Sequence, residues 1–297
     1  MTVACTIALA LTNLQAQGLD RLDAQLLLLH ALGRAAHDRA WLLSHDADLI
    51  SVTDLARLAE LARRRSRGEP LAYLTGYKEF YGLNLQVDHR VLVPRPDTET
   101  LVDWALEVIN AMNTSKALIQ PTAQTEPDEI PSAAMSALDL GTGSGAIALA
   151  LKASMPTLQL RATDFSLDAL AVARKNAHHL QLDVQFQQGS WLDSMKGRFN
   201  VIVSNPPYIA EQDEHLAALA FEPIQALTSG SDGLDDLRQI ITQAPAHLHA
   251  GGWLLVEHGY DQAEMVRELL RTGQFDEVQS RCDLSGIERC SGGRRGK

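Results

Sequence analysis

Asparagine, two prolines and a tyrosine follow one another at residues 205–208, directly after the apolar run 199–204. The prolines lack N–H donors, so the backbone carbonyls of this segment stay free to accept hydrogen bonds. The side-chain oxygen of Asn205 and a proline carbonyl could then accept both hydrogens of a planar –NH2 group, on which Tyr208 could stack. We therefore predict that residues 205–208 hold an amide or amino nitrogen with its lone pair directed at a reaction partner.

The second candidate segment is rich in glycine and reads Asp139-Leu140-Gly141-Thr142-Gly143-Ser144-Gly145-Ala146. It lies between a predicted strand and a predicted helix, where glycines permit a tight turn and let a ligand approach the backbone closely. Two patterns fit it: the dinucleotide fingerprint G-x-G-x-x-A, and the G-x-G-x-G spacing typical of loops that bind S-adenosylmethionine. Asp164 ends the next predicted strand, where an acid would accept hydrogen bonds from two ribose hydroxyls. Together they predict an adenosine-containing cofactor.

The choice of cofactor depends on residues 205–208. A nicotinamide oxidoreductase would use the glycine loop and Asp164 but would leave residues 205–208 without a role. A sulfonium methyl group is already activated, so its transfer to nitrogen depends mainly on alignment, which is what the segment offers. The combination favours methyl transfer to a planar nitrogen. A DNA or RNA adenine N6-methyltransferase remains an alternative, although it needs a basic and aromatic surface that recognises its target.

Strands and helices alternate after residue 136, which predicts a mostly parallel sheet covered on both faces. The predicted strands are 137–140, 158–163, 184–187, 199–204, 253–257, 275–282 and 287–290. The predicted helices between them are 146–153, 167–179, 236–248 and 262–270. Residues 1–67 instead carry leucines at helical spacing throughout, which indicates a small all-helical region.

The sequence divides into three predicted regions: a helical domain at 1–70, a β-hairpin connector at 71–95, and a catalytic domain at 96–297. Alternating apolar and aromatic residues after Pro70 indicate the hairpin. Within the catalytic domain, residues 113–135 are rich in Thr, Ser, Pro and Gln, which is typical of a loose linker.

The chain carries a formal net charge of −11, and its acidic excess is confined to the larger region. Residues 1–70 hold 8 basic and 8 acidic side chains, whereas residues 71–297 hold 18 basic and 29 acidic ones. We therefore do not expect the larger region to bind nucleic-acid phosphates through a broad basic surface. The end of a predicted helix at 63–67 is basic and is either a solvated helix end or a patch that binds a partner.

Three cysteines, Cys5, Cys282 and Cys290, form no C-x-x-C pair and lie in no histidine-rich cluster, so no metal site is predicted. Their odd, sparse count is typical of a reducing compartment. No basic region precedes the short apolar stretch near the amino terminus, and no apolar run approaches the roughly 20 residues of a membrane span. These features predict a cytoplasmic protein without a membrane segment.

Taken together, the motifs resemble those of the release-factor glutamine methyltransferases, the PrmC/HemK family. The resemblance covers residues 5–290. It is carried by the segments 69–76 (EPLAYLTG), 79–82 (EFYG), 92–99 (LVPRPDTE), 141–145, 205–208, 221–223 (FEP) and 257–259 (EHG). The resemblance implies a class I methyltransferase domain with a seven-stranded, doubly wound sheet, joined by a β-hairpin to a small helical domain that docks the substrate.

The same resemblance implies an enzyme that transfers a methyl group from S-adenosyl-L-methionine to the side-chain amide nitrogen (N5) of a glutamine. That glutamine lies in the Gly-Gly-Gln motif of class 1 peptide chain release factors, and the enzyme is expected to be a monomer. A ribosomal-protein glutamine is the nearest alternative substrate, but residues 95–99 favour the release factor.

By position, the implied cofactor-binding residues are Gly141, Thr142, Gly143, Ser144, Gly145, Asp164, Trp191 and Asn205. Trp191 is expected to pack on the adenine. The implied substrate pocket comprises Asn205, Pro206, Pro207 and Tyr208, of which Asn205, Pro206 and Tyr208 are the predicted catalytic residues.

The sequence departs from the family pattern at two places. The family commonly has an acid just before the tryptophan, where this chain has Ser190, so Ser190 or Asp193 replaces its contact to the adenine amino group or the contact is missing. Residues 291–297, Ser-Gly-Gly-Arg-Arg-Gly-Lys, replace a more apolar end, and we expect a mobile basic tail there.

Overall fold

The computed structural model describes residues 5–119, 135–193 and 195–296. The chain forms two compact units, Met1–Tyr77 and Lys78–Lys297. No helix in the described ranges is both long and apolar enough to cross a membrane.

The first unit is built from short helices that bury a leucine-rich core. They are α1 (Ile7–Ala16), α2 (Arg21–Ala31), α3 (Arg39–Ser44), α4 (Val52–Arg65) and α5 (Leu71–Thr75). Side chains of Thr6, Asp20 and Ser51 cap the amino ends of α1, α2 and α4, which explains where these helices begin. The core includes Leu27, Leu28 and Leu29 of α2, packed with Leu58 and Leu61 of α4.

The basic end of α4 makes ion pairs within this unit. Arg63 pairs with Glu60 and Arg64 with Glu69. Arg65 pairs with Asp23 of α2. Three arginines of the segment 63–67 therefore form ion pairs at the carboxyl end of a helix. Their positive charge also interacts favourably with the negative end of the helix dipole.

The connector differs from the predicted hairpin at 71–95, because its first five residues form α5. Pro70 precedes this helix with a fixed φ, and Gly76 ends it in the left-handed region at φ +81°. The hairpin itself is shorter and comprises β1 (Tyr77–Phe80) and β2 (Leu83–Gln86). The aromatic alternation after Pro70 therefore belongs partly to a helix that buries Ala72 and Leu74.

The second unit contains a seven-stranded sheet in the order β5-β4-β3-β6-β7-β9-β8. The strands are β3 (Ser136–Leu140), β4 (Gln159–Asp164), β5 (Gln185–Gln188), β6 (Phe199–Ser204), β7 (Leu248–Glu257), β8 (Phe275–Cys282) and β9 (Glu288–Arg295). Neighbouring strands from β5 to β7 are parallel, and β9 runs antiparallel to both β7 and β8.

Helices cover both faces of this sheet, as the sequence predicts. They are α6 (Glu99–Ile119), α7 (Ala146–Ser154), α8 (Leu167–Leu180), α9 (Asp235–His247) and α10 (Ala263–Thr272). One core cluster contains Leu101 and Trp104 of α6 with Leu149 of α7. The other contains Ile240 of α9 and Val266 of α10. The fold is the predicted doubly wound, mostly parallel α/β sheet.

The expectation of a mobile basic tail at 291–297 is wrong, because residues 291–295 belong to β9 inside the sheet. A Cβ atom on Gly292 would lie 2.6 Å from a methyl carbon of Leu255 and 2.9 Å from the ring of Trp104. Glycine is therefore required by close packing against β7 and α6. The segment lacks an apolar pattern because its backbone, and not its side chains, fills the space between β7 and β8.

The first residues of the predicted linker at 113–135 are helical. Helix α6 continues to Ile119, and the Thr114 hydroxyl donates to the carbonyl of Asn110, which satisfies this polar group inside the helix. Residues 120–134 lie outside the described residues, so that part of the prediction is not addressed by the structure. Met135 is buried in the core immediately before β3.

Candidate active site

Strands β3 and β6 are neighbours in the centre of the sheet, and their last residues, Leu140 and Ser204, are paired in register. The Ser204 hydroxyl donates to the Leu140 carbonyl at 2.8 Å. The glycine-rich loop and residues 205–208 therefore begin side by side at the carboxyl edge. Asp164 ends β4 on the other side of β3. This edge is where doubly wound sheets bind ligands.

A cavity of about 260 Å³ lies at this edge. Six of the sequence-predicted site residues line it: Gly141, Gly143, Asp164, Trp191, Asn205 and Pro207. Its wall also includes Arg90, Val91, Leu92, Phe165, Ser166, Ala169, Gly189, Ser190, Pro223, Gln225, Ala226 and Asp236. Thr142, Ser144, Gly145, Pro206 and Tyr208 are absent from this wall. The structure thus brings the glycine loop, Asp164, Trp191 and Asn205 to one cavity.

Buried polar contacts hold the glycine loop from behind. Asp139 accepts hydrogen bonds from the Thr142 hydroxyl at 2.6 Å and from the backbone N–H of Ala148 at 3.2 Å. Burial raises the pKa of Asp139 to about 7, although both hydrogen bonds oppose the rise. The Ser144 carbonyl accepts a hydrogen bond from the side chain of Asn176 at 2.9 Å. Thr142 and Ser144 are therefore buried supports of the loop.

Asn176 also joins this loop to the hairpin. Its side-chain oxygen accepts from the N–H of Gln86 at 2.8 Å, and its nitrogen donates to the Gln86 carbonyl at 3.0 Å. Asn176 is fully buried on α8. A buried polar side chain that satisfies groups of β2 and of the glycine loop is costly to replace.

The carboxylate of Asp164 accepts hydrogen bonds from the backbone N–H groups of Gly143 and Ser166, each with a nitrogen–oxygen distance of 2.8 Å. Burial raises the pKa of this carboxyl, and the two hydrogen bonds oppose the rise. Each carboxylate oxygen has a further lone pair, so Asp164 can still accept hydrogen bonds from a ligand that enters the cavity. Two neighbouring hydroxyl groups, such as those of a ribose, fit this arrangement.

The Trp191 ring lies against Gly141, where a Cβ atom would be 3.1 Å from the ring carbon Cζ3. The indole N–H donates to Asp236 at 2.9 Å, which fixes the ring in the cavity wall. Ser190 lines the cavity, whereas Asp193 does not and accepts from Gln243 at 2.6 Å. Of the two residues considered for the missing acid, Ser190 is therefore the one at the cavity.

The side-chain nitrogen of Asn205 donates to the hydroxyl of Thr98 at 3.2 Å. Asn205 lines the cavity, and none of the described residues donates a hydrogen bond to its side-chain oxygen. Pro206 is buried behind it. The amide of Asn205 is thus held by its nitrogen, and its oxygen is available as an acceptor.

Tyr208 does not line this cavity and is held by two hydrogen bonds. Its hydroxyl donates to Glu257 at 3.4 Å, and its carbonyl accepts from Gln262 at 3.0 Å. Burial and the nearby Glu257 raise the pKa of this phenol. A Cβ atom on Gly233 would lie 2.2 Å from the Tyr208 carbonyl oxygen. The stacking role of the Tyr208 ring stays a prediction.

Two carboxylates near the site accept hydrogen bonds from backbone N–H groups of residues 81 and 93. Glu222 accepts from the backbone N–H of Val93 at 2.9 Å and pairs with the guanidinium of Arg95. Glu99 accepts from the backbone N–H of Tyr81 at 3.0 Å. Arg95 therefore helps to hold the wall that contains Pro223, and Glu99 braces the hairpin turn.

Glu257 ends β7, and His258 follows it directly. The ring nitrogen Nδ1 of His258 donates to the Gly259 carbonyl, and Nε2 accepts from the Ser291 hydroxyl, both at 2.8 Å. Burial lowers the pKa of His258, so the neutral ring is favoured. His258 is therefore a buried neutral histidine whose two ring nitrogens are both hydrogen-bonded.

Sequence reasoning missed the supporting residues Thr98, Asn176, Gly233 and Gln262. Each lies far along the chain from the group that it contacts, and its type is common in helix ends and turns. Only Thr98 stood within a segment that carried the family resemblance. No group of His, Cys, Asp or Glu in the described ranges is arranged to hold a metal ion.

Comparison with known proteins identifies the family. Residues 114–279 match the family described as Methyltransferase small domain, and residues 7–76 match the PrmC N-terminal domain. A protein of Bordetella pertussis named Release factor glutamine methyltransferase is 46% identical over 280 residues, which cover 93% of this chain and 95% of the relative. A protein of the same name from Xylella fastidiosa (strain Temecula1) is 42% identical over 290 residues, covering 96% of this chain and 97% of the relative.

Among solved structures, the hMettl16 catalytic domain in complex with an RNA hairpin has a TM-score of 0.54 and 15% identity, covering 79% of this chain and 81% of that one. At so low an identity, this likeness supports the fold alone. The relatives at 42–46% identity extend over both units of the chain. This chain therefore belongs to the release factor glutamine methyltransferase family.

Proposed function

We propose that this protein transfers a methyl group from S-adenosyl-L-methionine to the side-chain amide nitrogen (N5) of a glutamine. The proposed glutamine is that of the Gly-Gly-Gln motif in class 1 peptide chain release factors. The names of the relatives support the substrate. The observation that carries the chemistry is Asn205, which lines the cavity and whose nitrogen donates to Thr98, while none of the described residues donates to its side-chain oxygen.

The cavity wall fits the proposed cofactor. Gly143 leaves room beside the loop, because no atom lies within 4 Å of the place where a Cβ would be, while the space beside Gly141 is taken by the Trp191 ring. Asp164 would accept hydrogen bonds from the ribose hydroxyls, and Trp191 would pack against the adenine. When bound, the cofactor supplies an electrophilic methyl group on a sulfonium centre. Thr142, Ser144 and Gly145 would act from behind, by holding the loop in shape.

The substrate amide would be positioned by acceptors of this chain. Asn205 Oδ1 and the Pro206 carbonyl would each accept one hydrogen of the amide group. Pro207 would form the adjacent wall, and Tyr208 would support the segment through its contact with Glu257. Both amide hydrogens would then be held in one plane, which turns the nitrogen toward the methyl donor. Alignment of this kind supplies much of the rate in a reaction with an activated donor.

We also propose that the helical region 1–70 docks the protein substrate and that residues 96–297 carry out catalysis. The match of residues 7–76 to a separately defined domain of this family supports such a division. A monomer in the cytoplasm is part of the same proposal. The three cysteines are free in the structure, which agrees with a reducing compartment.

The test is methylation of a purified class 1 release factor with labelled S-adenosyl-L-methionine. We expect label on the release factor and none on a variant in which the glutamine of Gly-Gly-Gln is alanine. Ribosomal proteins and an RNA hairpin serve as parallel substrates. Equal labelling of the alanine variant would contradict the proposal, and label on RNA or on a ribosomal protein alone would assign a different substrate.

A further inference from the structure

We propose that Asp236 is the residue of the cavity wall that selects the adenine base of the cofactor. One of its carboxylate oxygens holds the indole ring of Trp191, and the other would accept a hydrogen bond from the 6-amino group of adenine. This inference rests on the proposed function, because it names the group that distinguishes S-adenosyl-L-methionine from a similar compound with another base.

Asp236 is held in the cavity wall by two hydrogen bonds. Its side-chain atom Oδ1 accepts from the indole nitrogen of Trp191 at 2.9 Å, and its backbone N–H donates to the hydroxyl of Ser229 at 2.8 Å. Ser229 is 3% exposed, so the first turn of α9, which contains Asp236, is anchored to the interior. None of the described residues donates a hydrogen bond to Oδ2 of Asp236. Asp236 therefore lines the cavity with one acceptor still available.

Trp191 is the surface on which a base would pack. Its backbone has φ +44°, a conformation that a bulky residue adopts only where its surroundings enforce it, as at ligand sites. The ring lies against Gly141, and its N–H is bound by Asp236. An indole N–H lies in the plane of the ring, so the carboxylate of Asp236 lies at the edge of the ring. A purine packed on this ring would lie parallel to it, with its own edge beside the carboxylate.

The selectivity follows from the fact that a carboxylate can only accept hydrogen bonds. The 6-amino group of adenine is a donor, whereas a 6-oxo group at the same position of a purine is an acceptor. The available oxygen of Asp236 would therefore bind the amino group and repel the oxo group. Adenine would be favoured over hypoxanthine, which carries the oxo group.

The other polar side chains of the wall are less suited to this selection. Among the described residues of the wall, Asp164 is the only other acid, and its two oxygens already accept backbone N–H groups beside the glycine loop. Ser190 has a hydroxyl, which can donate to an oxo group or accept from an amino group. The amides of Asn205 and Gln225 also contain both a donor and an acceptor. Asp236 is thus the residue of the wall whose chemistry rejects a 6-oxo base.

The experiment compares the binding of S-adenosylhomocysteine and S-inosylhomocysteine to the full-length protein by calorimetry. In the second compound the 6-amino group is replaced by an oxo group, and N1 carries a hydrogen. Both compounds have a neutral sulfur, so a change in charge at residue 236 does not alter an attraction to a sulfonium. We expect the wild type to bind the adenosyl compound about 30-fold more tightly, as for one hydrogen bond to a charged group. Equal affinities would overturn the proposal without any variant.

Asp236→Asn should remove this preference. The indole N–H of Trp191 can only donate, so it would hold the oxygen of the new amide and leave the amide nitrogen toward the cavity. Affinity for the adenosyl compound should then fall about tenfold, and affinity for the inosyl compound should rise about threefold. An equal loss of affinity for both compounds would show that Asp236 only holds the ring of Trp191, and would overturn the proposal.

Asp235→Asn is the matched control. It removes the same charge from the neighbouring position of α9, where the side chain is exposed, pairs with Arg238 and does not line the cavity. It should keep the preference of about 30-fold. Should Asp236→Asn fail to fold, Asp236→Ala decides the question, because without an acceptor the preference should fall below about threefold.

The outcomes separate this inference from the proposed function. A wild type that binds neither compound refutes the proposed cofactor. A wild type that binds S-adenosylhomocysteine but does not label the release factor refutes the proposed substrate, and the affinity ratios still decide the role of Asp236. An active wild type whose preference is unchanged in Asp236→Asn refutes the inference alone.

Discussion

The two loops that meet at the cavity leave neighbouring strands at the same sheet edge, yet they are supported differently. The glycine loop at 141–145 is held mainly through its backbone. Asp164 binds the N–H of Gly143, Asn176 binds the carbonyl of Ser144, and Asp139 joins the loop to the start of α7. These supports come from the adjacent strands and from the helix that packs on them.

Residues 205–208 are held by side chains from distant parts of the chain. Thr98 contacts Asn205 across 107 positions, and Glu257 contacts Tyr208 across 49. Gln262 donates to the Tyr208 carbonyl across 54 positions, and Gly233 leaves room for that carbonyl. A cofactor loop built on backbone contacts and a substrate segment built on remote side chains should respond differently to substitution, and four predictions follow this difference.

The largest effect is expected from Asn205→Ala, which removes the proposed acceptor for the substrate amide. We expect kcat to fall about 10³-fold, comparable to the loss of one catalytic hydrogen bond in other enzymes, with a change in cofactor Kd below fivefold. Kinetics with the release factor and calorimetry with the cofactor measure the two values. Asn110→Ala, on the exposed face of α6, is the control. A loss of cofactor affinity as large as the fall in kcat would contradict the distinction between the two loops.

Gly233→Ala should lower kcat about 10²-fold, because its new methyl group would displace the Tyr208 carbonyl and with it the substrate segment. Gly233 also has φ +76°, so alanine is strained there for a second reason. Gly286→Ala is the matched control: its φ is +80°, but no atom lies within 4 Å of the new Cβ. Similar kcat values for the two variants would show that the displacement of Tyr208 does not matter.

Asn176→Ala should weaken cofactor binding and leave kcat nearly unchanged, which is the reverse of the result expected for Asn205→Ala. It leaves the Ser144 carbonyl and the Gln86 backbone groups without their buried partner, which loosens the cofactor loop. We expect the cofactor Kd to rise about tenfold, while kcat at saturating cofactor stays within threefold. Calorimetry and saturation kinetics provide both numbers. A fall in kcat with an unchanged Kd would place Asn176 with the substrate segment instead.

The smallest expected effect is a change with pH in the free energy of unfolding, caused by Asp139 behind the glycine loop. The pKa of Asp139 is raised to about 7 in the folded protein, above its unfolded value. A carboxyl with a raised pKa contributes stability that is present at low pH and is lost as pH rises through the folded pKa. Its contribution to the free energy of unfolding should therefore decrease by about 1 kcal/mol between pH 6 and pH 8.

Urea denaturation at several pH values measures this dependence. Asp139→Asn should weaken it relative to the wild type, because the amide does not titrate. Glu257→Gln provides the comparison at the substrate segment, since burial raises the pKa of Glu257 to about 7 as well. A wild-type stability that rises over this range, unchanged in Asp139→Asn, would contradict the assignment.

The sequence predicted the elements whose pattern is local. The strand at 199–204 has the predicted bounds, because six consecutive buried residues are followed by Asn205 and then by a proline pair. The helix that begins at Ala146 follows a glycine turn, and Asp164 ends its strand, so both cofactor signals were readable. The helical character of the first unit also followed from leucine spacing.

The errors occurred where local pattern and tertiary role differ. Residues 291–295 have the composition of a mobile tail, but their glycines allow β9 to fit under Trp104 and beside Leu255. Residues 71–75 carry the alternation of a strand, yet Pro70 and Gly76 bound them as a helix.

By itself, the sequence determined the sheet, the glycine loop, Asp164 and the segment 205–208, because apolar periodicity, proline and glycine act on the backbone within a few residues. Only the tertiary structure decided which of these groups face the cavity and what holds them. The contacts of Asn205 with Thr98, and of Tyr208 with Glu257, depend on how strands and helices far apart in the chain are packed. Hydrogen-bond partners at such separations leave no periodic signal, because their geometry exists only once the sheet has formed.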